Sequence, residues 1–189
     1  MTHSEVLEVL AEHRGNRIVL TTMGSVGLWP AISDTPLDFA YLPSSMGQGV
    51  AVGLGLALAQ SHGVVVLSGD GSLLMNLGSL VTVANHPANV TVLLIDNGLY
   101  EVTGGQEPAG AGKTDFAGLA RAAGIGRIFS FTNLDDWRNG IREVFARSEP
   151  TFVWLKVQGE RGKKTPAPPR PMAEQIQRLQ SAIGASGAP

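Results

Sequence analysis

The sequence has no cysteine, little charge and no long apolar run. Without cysteine in its 189 residues, the chain cannot form disulfides, thiolate zinc sites, thiol nucleophiles or iron–sulfur clusters. Lys and Arg number 14 against 16 Asp and Glu, a balance that indicates no nucleic-acid partner. The longest apolar stretch, residues 50–59, is far shorter than the roughly 20 residues that cross a bilayer. The N-terminus has no signal-peptide pattern, so we predict a cytoplasmic protein without a membrane partner.

Glycine, by contrast, is abundant. Its 24 occurrences are about 13% of the chain, against a usual share of about 7%. Such a content indicates backbone that closely approaches another group. Hydrophobic residues make up 43% of the sequence, enough to form a core, and the length is that of one compact domain.

Short apolar segments alternate with segments of helical pattern. We predict strands at residues 17–21, 38–42, 64–67, 90–95 and 151–157, and helices at 1–14, 47–60, 73–84, 115–123 and 134–147. Strands that are apolar nearly throughout are typical of a parallel sheet covered on both faces. The prediction is therefore a doubly wound α/β fold, with a mostly parallel central sheet and helices on both faces. It covers residues 1–160, and residues 161–189 are predicted to be a Pro-rich basic linker and a short C-terminal helix.

Two neighbouring predicted strands end in polar residues. Val64–Ser68 leads directly into Gly69-Asp70-Gly71-Ser72, and the later strand ends in Asp96-Asn97. Ligands of a parallel sheet bind at the carboxyl ends of its strands, so Asp70 and Asn97 are expected to converge there. Their oxygens suit Mg²⁺, and the start of the following helix favours phosphate.

This spacing resembles the cofactor motif of the thiamine-diphosphate-dependent enzymes. The motif begins with Gly69–Ser72 and ends at Asn97. Counted from Ser72 to Asp96 inclusive, 25 residues precede that asparagine. The resemblance implies a diphosphate-binding domain in which Asp70, Asn97 and the carbonyl of Leu99 bind Mg²⁺. The cofactor-binding residues that it implies are Ser44, Ser45, Met46, Gly69, Asp70, Gly71, Ser72, Asn97, Leu99 and Tyr100.

A second segment, residues 44–49, resembles the loop that receives the middle of the same cofactor. In that family a bulky apolar residue keeps the cofactor bent, and Met46 matches its position. The carbonyl of Ser44 would accept a hydrogen bond from the amino group of the pyrimidine. The bend brings that amino group close to the reactive carbon.

The stretch Asp96–Tyr100, followed by Thr103–Gln106, is similar to sulfopyruvate and phosphonopyruvate decarboxylases. The resemblance implies a carbon–carbon lyase that acts on a small anionic 2-oxoacid, with sulfopyruvate the first candidate and phosphonopyruvate the second. Glu101 and Val102 depart from the smaller residues expected there. Glu101, Thr103 and Gln106 are candidates to face the substrate or the diphosphate.

Enzymes of this family also need a glutamate on the cofactor's pyrimidine, from a separate pyrimidine-binding domain. One domain fills this sequence, so we expect a half-site with no certain catalytic residue of its own. The resemblance implies a pyrimidine-binding α subunit, encoded nearby, that supplies the glutamate. It also implies self-association.

Two alternatives are left open by the residues. Gly47-x-Gly49-x-x-x-Gly53, with Asp70 about 20 residues further on, is also consistent with an NAD-binding Rossmann-type oxidoreductase module. The other alternative is a non-catalytic thiamine-diphosphate-binding subunit. The four histidines have no metal-ligand spacing and are predicted at the surface. The basic residues Arg161, Lys163, Lys164 and Arg170 are interpreted as a solvated linker, or as groups that close over an anionic substrate or dock on the partner.

Overall fold

The computed structural model describes residues 1–40, 45–162 and 167–185. The strands in these ranges are β1 Ile18–Thr21, β2 Asp38–Ala40, β3 Val64–Gly69, β4 Val90–Asp96, β5 Arg127–Phe131 and β6 Thr151–Lys156. The α-helices are α1 His3–His13, α2 Ser25–Ile32, α3 Gly49–Ala59, α4 Asp70–Leu74, α5 Gly78–Ala84, α6 Phe116–Ala122, α7 Leu134–Val144 and α8 Met172–Ala185. A short 3-10 turn spans Glu101–Thr103. None of the helices in the described ranges has the length and hydropathy to cross a membrane.

The strands form one sheet in the order β2-β1-β3-β4-β6-β5, and every neighbouring pair is parallel. This confirms the predicted doubly wound sheet. Gly69 of β3 pairs with Ile95 of β4, so these two strands end at the same level. The chain runs from β1 to β2 on one side, while β3 lies on the other side of β1, which makes the gap between β1 and β3 a topological switch point.

Helices cover both faces of the sheet. Alternate strand residues such as Val19, Val65 and Leu93 pack with α1, α2 and α7 on one face. The intervening residues, such as Leu20 and Val66, pack with α3, α5, α6 and α8 on the other face. Both faces of the central strands are therefore buried, which explains their nearly continuous apolar sequence.

The predictions missed two elements and joined two others. No strand was predicted at β5, an edge strand whose residues are only partly buried, and no helix at α2, which contains Pro30. The single helix expected at residues 73–84 is instead α4 and α5, separated by a turn in which Asn76 accepts from Ser79 N through its carbonyl. Asn133 caps α7 by accepting a hydrogen bond from Asp136 N.

The C-terminal helix α8 packs on the sheet rather than standing apart from it. Leu179 is buried in the cluster that includes Phe39 of β2. Arg170 and Arg178 both bind Asp34, which precedes β2 and therefore lies at the amino edge of the sheet. Arg170 consequently does not close over ligands at the carboxyl edge. Lys163 and Lys164 lie outside the described residues.

Two glycines of α3 provide a test of this packing. A methyl group on Gly53 would overlap Cγ2 of the buried Val66, whereas nothing lies within 4 Å of the same position on the exposed Gly55. We expect Gly53→Ala to lower the free energy of unfolding by about 2 kcal/mol because the helix must move off the sheet. Gly55→Ala should raise it by roughly 0.5–1 kcal/mol through helix propensity. Urea denaturation of both variants measures this, and equal effects would contradict the packing.

Candidate functional site

A cavity of about 410 Å³ opens at the carboxyl edge of the sheet. Its walls come from the segments that follow β1, β3 and β4, together with Met46 and the first turn of α1. It therefore lies at the switch point between β1 and β3, where ligands of open parallel sheets bind.

Asp70 lies at the centre of this site. The residue is 3% exposed. Burial, and secondly the nearby carboxylate of Asp96, raise the pKa of Asp70 to about 7, although the backbone N–H groups of Gly71 and Gly98 act in the opposite direction. A cation at this position would offset the unfavourable charge of a buried carboxylate.

Asn97 and Leu99 form a tight loop beside Asp70. Asn97 Oδ1 accepts from Leu99 N at 3.0 Å. A methyl group on Gly159, in the segment after β6, would overlap the carbonyl oxygen of Asn97, so that segment packs directly on the loop. Asp96, the last residue of β4, accepts from Trp154 Nε1 at 2.8 Å.

The described residues contain no cluster of three His, Asp or Glu side chains that could hold a metal. A cation at Asp70 would therefore depend on the amide oxygen of Asn97, on a backbone carbonyl and on ligand oxygens. That is an oxygen-only donor set, which suits Mg²⁺ because this ion takes few protein ligands and completes its shell with water or phosphate.

Gly71 is covered by the ring of Tyr100. A methyl group on Gly71 would overlap Cε1 of that ring. The Tyr100 backbone is fixed by three backbone hydrogen bonds. Its own N donates to Gln106 O at 2.7 Å, and its carbonyl accepts from Gly105 N at 2.9 Å and from Thr103 N at 3.2 Å. The glycine thus allows the loop after β4 to close onto the start of α4.

The Met46 turn has a left-handed conformation and is held by Ser72 of α4 and by Asn76, which follows that helix. Met46 has a φ of 36° and Gly47 a φ of 84°. Gly47 N donates to Ser72 Oγ at 2.9 Å, and Asn76 Nδ2 donates to the carbonyl of Gly47 at 3.1 Å. Non-glycine residues seldom adopt positive φ, and such strain is frequent at functional sites.

Most of the predicted cofactor residues meet in the cavity. Those that line it are Met46, Gly69, Asp70, Gly71, Ser72, Asn97, Leu99 and Tyr100. Ser45 lies next to the Met46 turn, and its buried hydroxyl oxygen has no hydrogen-bond partner among the described residues. Ser44 lies outside the described residues. Glu101, Thr103 and Gln106 also line the cavity.

The sequence predictions missed several residues of the site, among them Met23, His3 and Asn76. Met23 lines the cavity with a φ of 48°, and Asn76 fixes the Met46 turn. His3 was predicted at the surface, which is wrong: it is 7% exposed and lines the cavity beside Ser25. An Asn two residues before a Gly inside an expected helix could have indicated the break at Asn76. No local signal marks His3, because its position depends on how α1 packs.

Residues 23–155 match the family described as thiamine pyrophosphate enzyme, C-terminal TPP binding domain. The chain belongs to this family. The match includes both glycine-rich turns and the Asn97 loop, so the glycine excess has an explanation in a known domain. Gly49 and Gly53 are needed for helix–sheet packing, since methyl groups there would overlap Thr22 and Val66. They therefore give no independent support to a dinucleotide site.

Several curated decarboxylases are similar to this TPP-binding domain. The β subunit of sulfopyruvate decarboxylase from Methanococcus maripaludis is 34% identical over 84% of this chain and 85% of its own length. The corresponding subunit from Methanothermobacter thermautotrophicus is 40% identical over 68% of this chain and 66% of its own length. Phosphonopyruvate decarboxylase from Streptomyces viridochromogenes is 36% identical over 79% of this chain, but the aligned part is only 38% of that longer protein.

Solved structures of thiamine enzymes share the fold. Benzoylformate decarboxylase from Polynucleobacter necessarius superimposes with a TM-score of 0.71 over 87% of this chain and 34% of that protein, at 22% identity. A 2-oxoglutarate:ferredoxin oxidoreductase from Magnetococcus marinus also gives a TM-score of 0.71, at 20% identity. At these identities the likeness shows the architecture alone.

The buried charge of Asp70 generates a prediction about stability. Its pKa of about 7 in the folded chain lies above the ordinary value of 3.8, so the folded chain binds this proton more tightly than the unfolded chain. The associated stability is lost as the pH rises from about 4 through 7. Asparagine does not titrate, so the Tm of Asp70→Asn relative to wild type should increase between pH 5 and pH 8, by on the order of 5 °C.

Differential scanning fluorimetry in EDTA measures this difference. Asp135→Asn is the control, because Asp135 is exposed on α7. A Tm difference for Asp70→Asn that stays constant across this pH range would contradict the raised pKa.

Proposed function

We propose that this chain binds thiamine diphosphate and Mg²⁺ and is the cofactor-binding subunit of a 2-oxoacid decarboxylase. The observation that carries the proposal is that the two ends of the cofactor motif, Gly69–Ser72 and the Asn97 loop, line one cavity at the ends of the paired strands β3 and β4. The names of the similar proteins, sulfopyruvate decarboxylase subunit β and phosphonopyruvate decarboxylase, support the reaction class. We therefore propose a carbon–carbon lyase. Sulfopyruvate is the first candidate substrate and phosphonopyruvate the second.

The residues of the cavity fit the two ligands. Asp70, Asn97 Oδ1 and the Leu99 carbonyl are the Mg²⁺ ligands that we assign, and the raised pKa of Asp70 is consistent with a position built for a cation. The backbone of Gly69–Ser72 would hold the diphosphate. Ser45, with its unpartnered buried hydroxyl, is a group that a bound cofactor could satisfy.

In this proposal the chain positions its ligands and keeps water out. The bound cofactor supplies an electron sink for the pair released when the bond to the carboxylate breaks. Met46 would support the bend of the cofactor. Its turn is fixed because the next residue, Gly47, is hydrogen-bonded to Ser72 and Asn76. The apolar side chains of Ile95 and Leu99 line the cavity and would exclude water from the reacting carbon.

A partner subunit is part of the proposal because one apolar face is uncovered. Met46, Leu58, Met75 and Val81 are 51, 54, 52 and 50% exposed, and they lie on or beside α3, α4 and α5. The helix α3 is apolar nearly all round, a composition typical of a buried helix. This face adjoins the cavity through Met46 and Met75. We propose that a pyrimidine-binding α subunit covers it and supplies the missing glutamate, in an assembly that also self-associates.

Isothermal titration of the chain with thiamine diphosphate tests the cofactor assignment. We expect binding that requires Mg²⁺ and is lost in Asp70→Ala, with a drop in affinity of roughly a hundredfold or more since the metal loses its charged ligand. Asp135→Ala, on the exposed surface of α7, should bind as the wild type does. Cofactor binding by Asp70→Ala at wild-type affinity would refute the metal assignment.

Reconstitution with the α subunit tests the half-site. The chain alone should release no CO₂ from sulfopyruvate, and the mixture should release it. Leu58→Asp should weaken the association by about tenfold or more, because it places a charge in an apolar interface. Ile176→Asp on α8, 40% exposed in the wild type, is the matched control and should associate normally. Turnover by the chain alone would disprove the half-site, and a mixture that binds cofactor without turnover would favour the non-catalytic alternative.

A further inference from the structure

The cavity contains a buried histidine that the assignments above do not use. His3 Nε2 lies 2.9 Å from Ser25 Oγ, and both residues line the cavity. They are 7 and 3% exposed. A buried imidazole on the wall of a ligand cavity is a group that can carry positive charge where the ligand binds.

The fold holds this pair in place from two sides. His3 is the first residue of α1, whose start is fixed by reciprocal hydrogen bonds between Thr2 and Glu5. The Met1 carbonyl accepts from Gln158 N at 3.1 Å, which ties the beginning of the chain to the segment after β6. Ser25 begins α2 directly after β1, at the edge where the cavity opens. Neither residue can move far from the cavity without disrupting a helix start.

His3 is the basic side chain of a cavity that is otherwise acidic. Among the described residues, the other side chains lining it that can carry charge at neutral pH are Asp70, Glu101 and Glu107. The Cβ position of Gly24 lies 3.8 Å from His3 Cε1 and 3.3 Å from Glu101 Oε2, so the imidazole and this carboxylate flank the same glycine.

We propose that His3 and Ser25 form an oxyanion-binding subsite in this wall of the cavity. The inference rests on the proposed function, whose ligands are both anions: the cofactor's diphosphate and the acid groups of the 2-oxoacid. Ser25 Oγ can accept from the imidazole and donate its own proton to a ligand oxygen. When the imidazole is protonated, it adds a positive charge beside this hydrogen bond, and hydrogen bonds that involve ionised groups are the stronger ones. Both ligands would present the same chemical group to the subsite, a negatively charged oxygen.

The variant His3→Gln separates this role from a structural one. Glutamine can still hydrogen-bond to Ser25 but cannot carry charge. His13→Gln is the matched control, because His13 lies at the other end of α1 and its Nδ1 is 2.9 Å from the Val9 carbonyl. Ser25→Ala is a second variant, which removes the hydroxyl should His3→Gln fold poorly. The Tm of each variant is measured alongside.

Two measurements distinguish the sources of the oxyanion. The first is the affinity of the full chain for inorganic pyrophosphate with Mg²⁺, by titration calorimetry, with the shift of the ¹³C-labelled His3 Cε1–H signal as a direct readout. The second is the KM for sulfopyruvate of the assembled enzyme. If the subsite holds the diphosphate, His3→Gln lowers the affinity for pyrophosphate by about tenfold. If it holds the substrate's acid group, the affinity for pyrophosphate is unchanged and the KM for sulfopyruvate rises by about tenfold.

Unchanged values in both measurements, with a normal Tm, would overturn the subsite. The failure of the proposed function looks different, since the wild-type chain would then bind neither pyrophosphate nor thiamine diphosphate in the presence of Mg²⁺. A wild type that binds both while His3→Gln and Ser25→Ala match it would leave the proposed function intact and remove this inference alone.

Discussion

The pairing of β3 with β4 is the constraint on which the site depends. Because the strands are parallel and Gly69 pairs with Ile95, the turns that follow them begin at the same level. Asp70 and the Asn97 loop therefore line the same cavity. A shift of one residue in this register would turn every buried side chain of the strand to the opposite face, so the two hydrophobic clusters enforce the geometry of the turns.

The sequence was most informative where chemistry and backbone conformation coincide. Gly69–Ser72 and Asn97 could be assigned to the site because a carboxylate, an amide and two glycines have a recognisable spacing at strand ends. The parallel sheet followed from strands apolar on both faces. The edge strand β5 was missed because its residues are only partly buried, and α2 because Pro30 and Gly27 weaken its helical pattern. His3 could not be found this way, since only tertiary packing brings it beside Ser25, 22 residues further along the chain.

Two methionines in left-handed conformations line the cavity. Met23 has a φ of 48° and follows β1, while Met46 has a φ of 36° and follows β2. Each such residue costs on the order of 1 kcal/mol or more in strain. For Met46 the structure shows what maintains the strained turn, since Ser72 and Asn76 bind both sides of Gly47. The cavity is thus shaped by backbone that the surrounding fold holds in place, a form of preorganisation that reduces the ordering needed when a ligand binds.

The hydrogen bond between Gln158 N and the Met1 carbonyl has a practical consequence for work with this protein. Residues added ahead of Met1 would lie at the carboxyl edge of the sheet, two positions from His3. An affinity tag placed there would crowd the opening and add its own histidines to a wall that already contains one. The end of α8 lies by the turn that precedes β3, at the opposite edge of the sheet, and is the better position for purification handles, fluorophores or surface tethers.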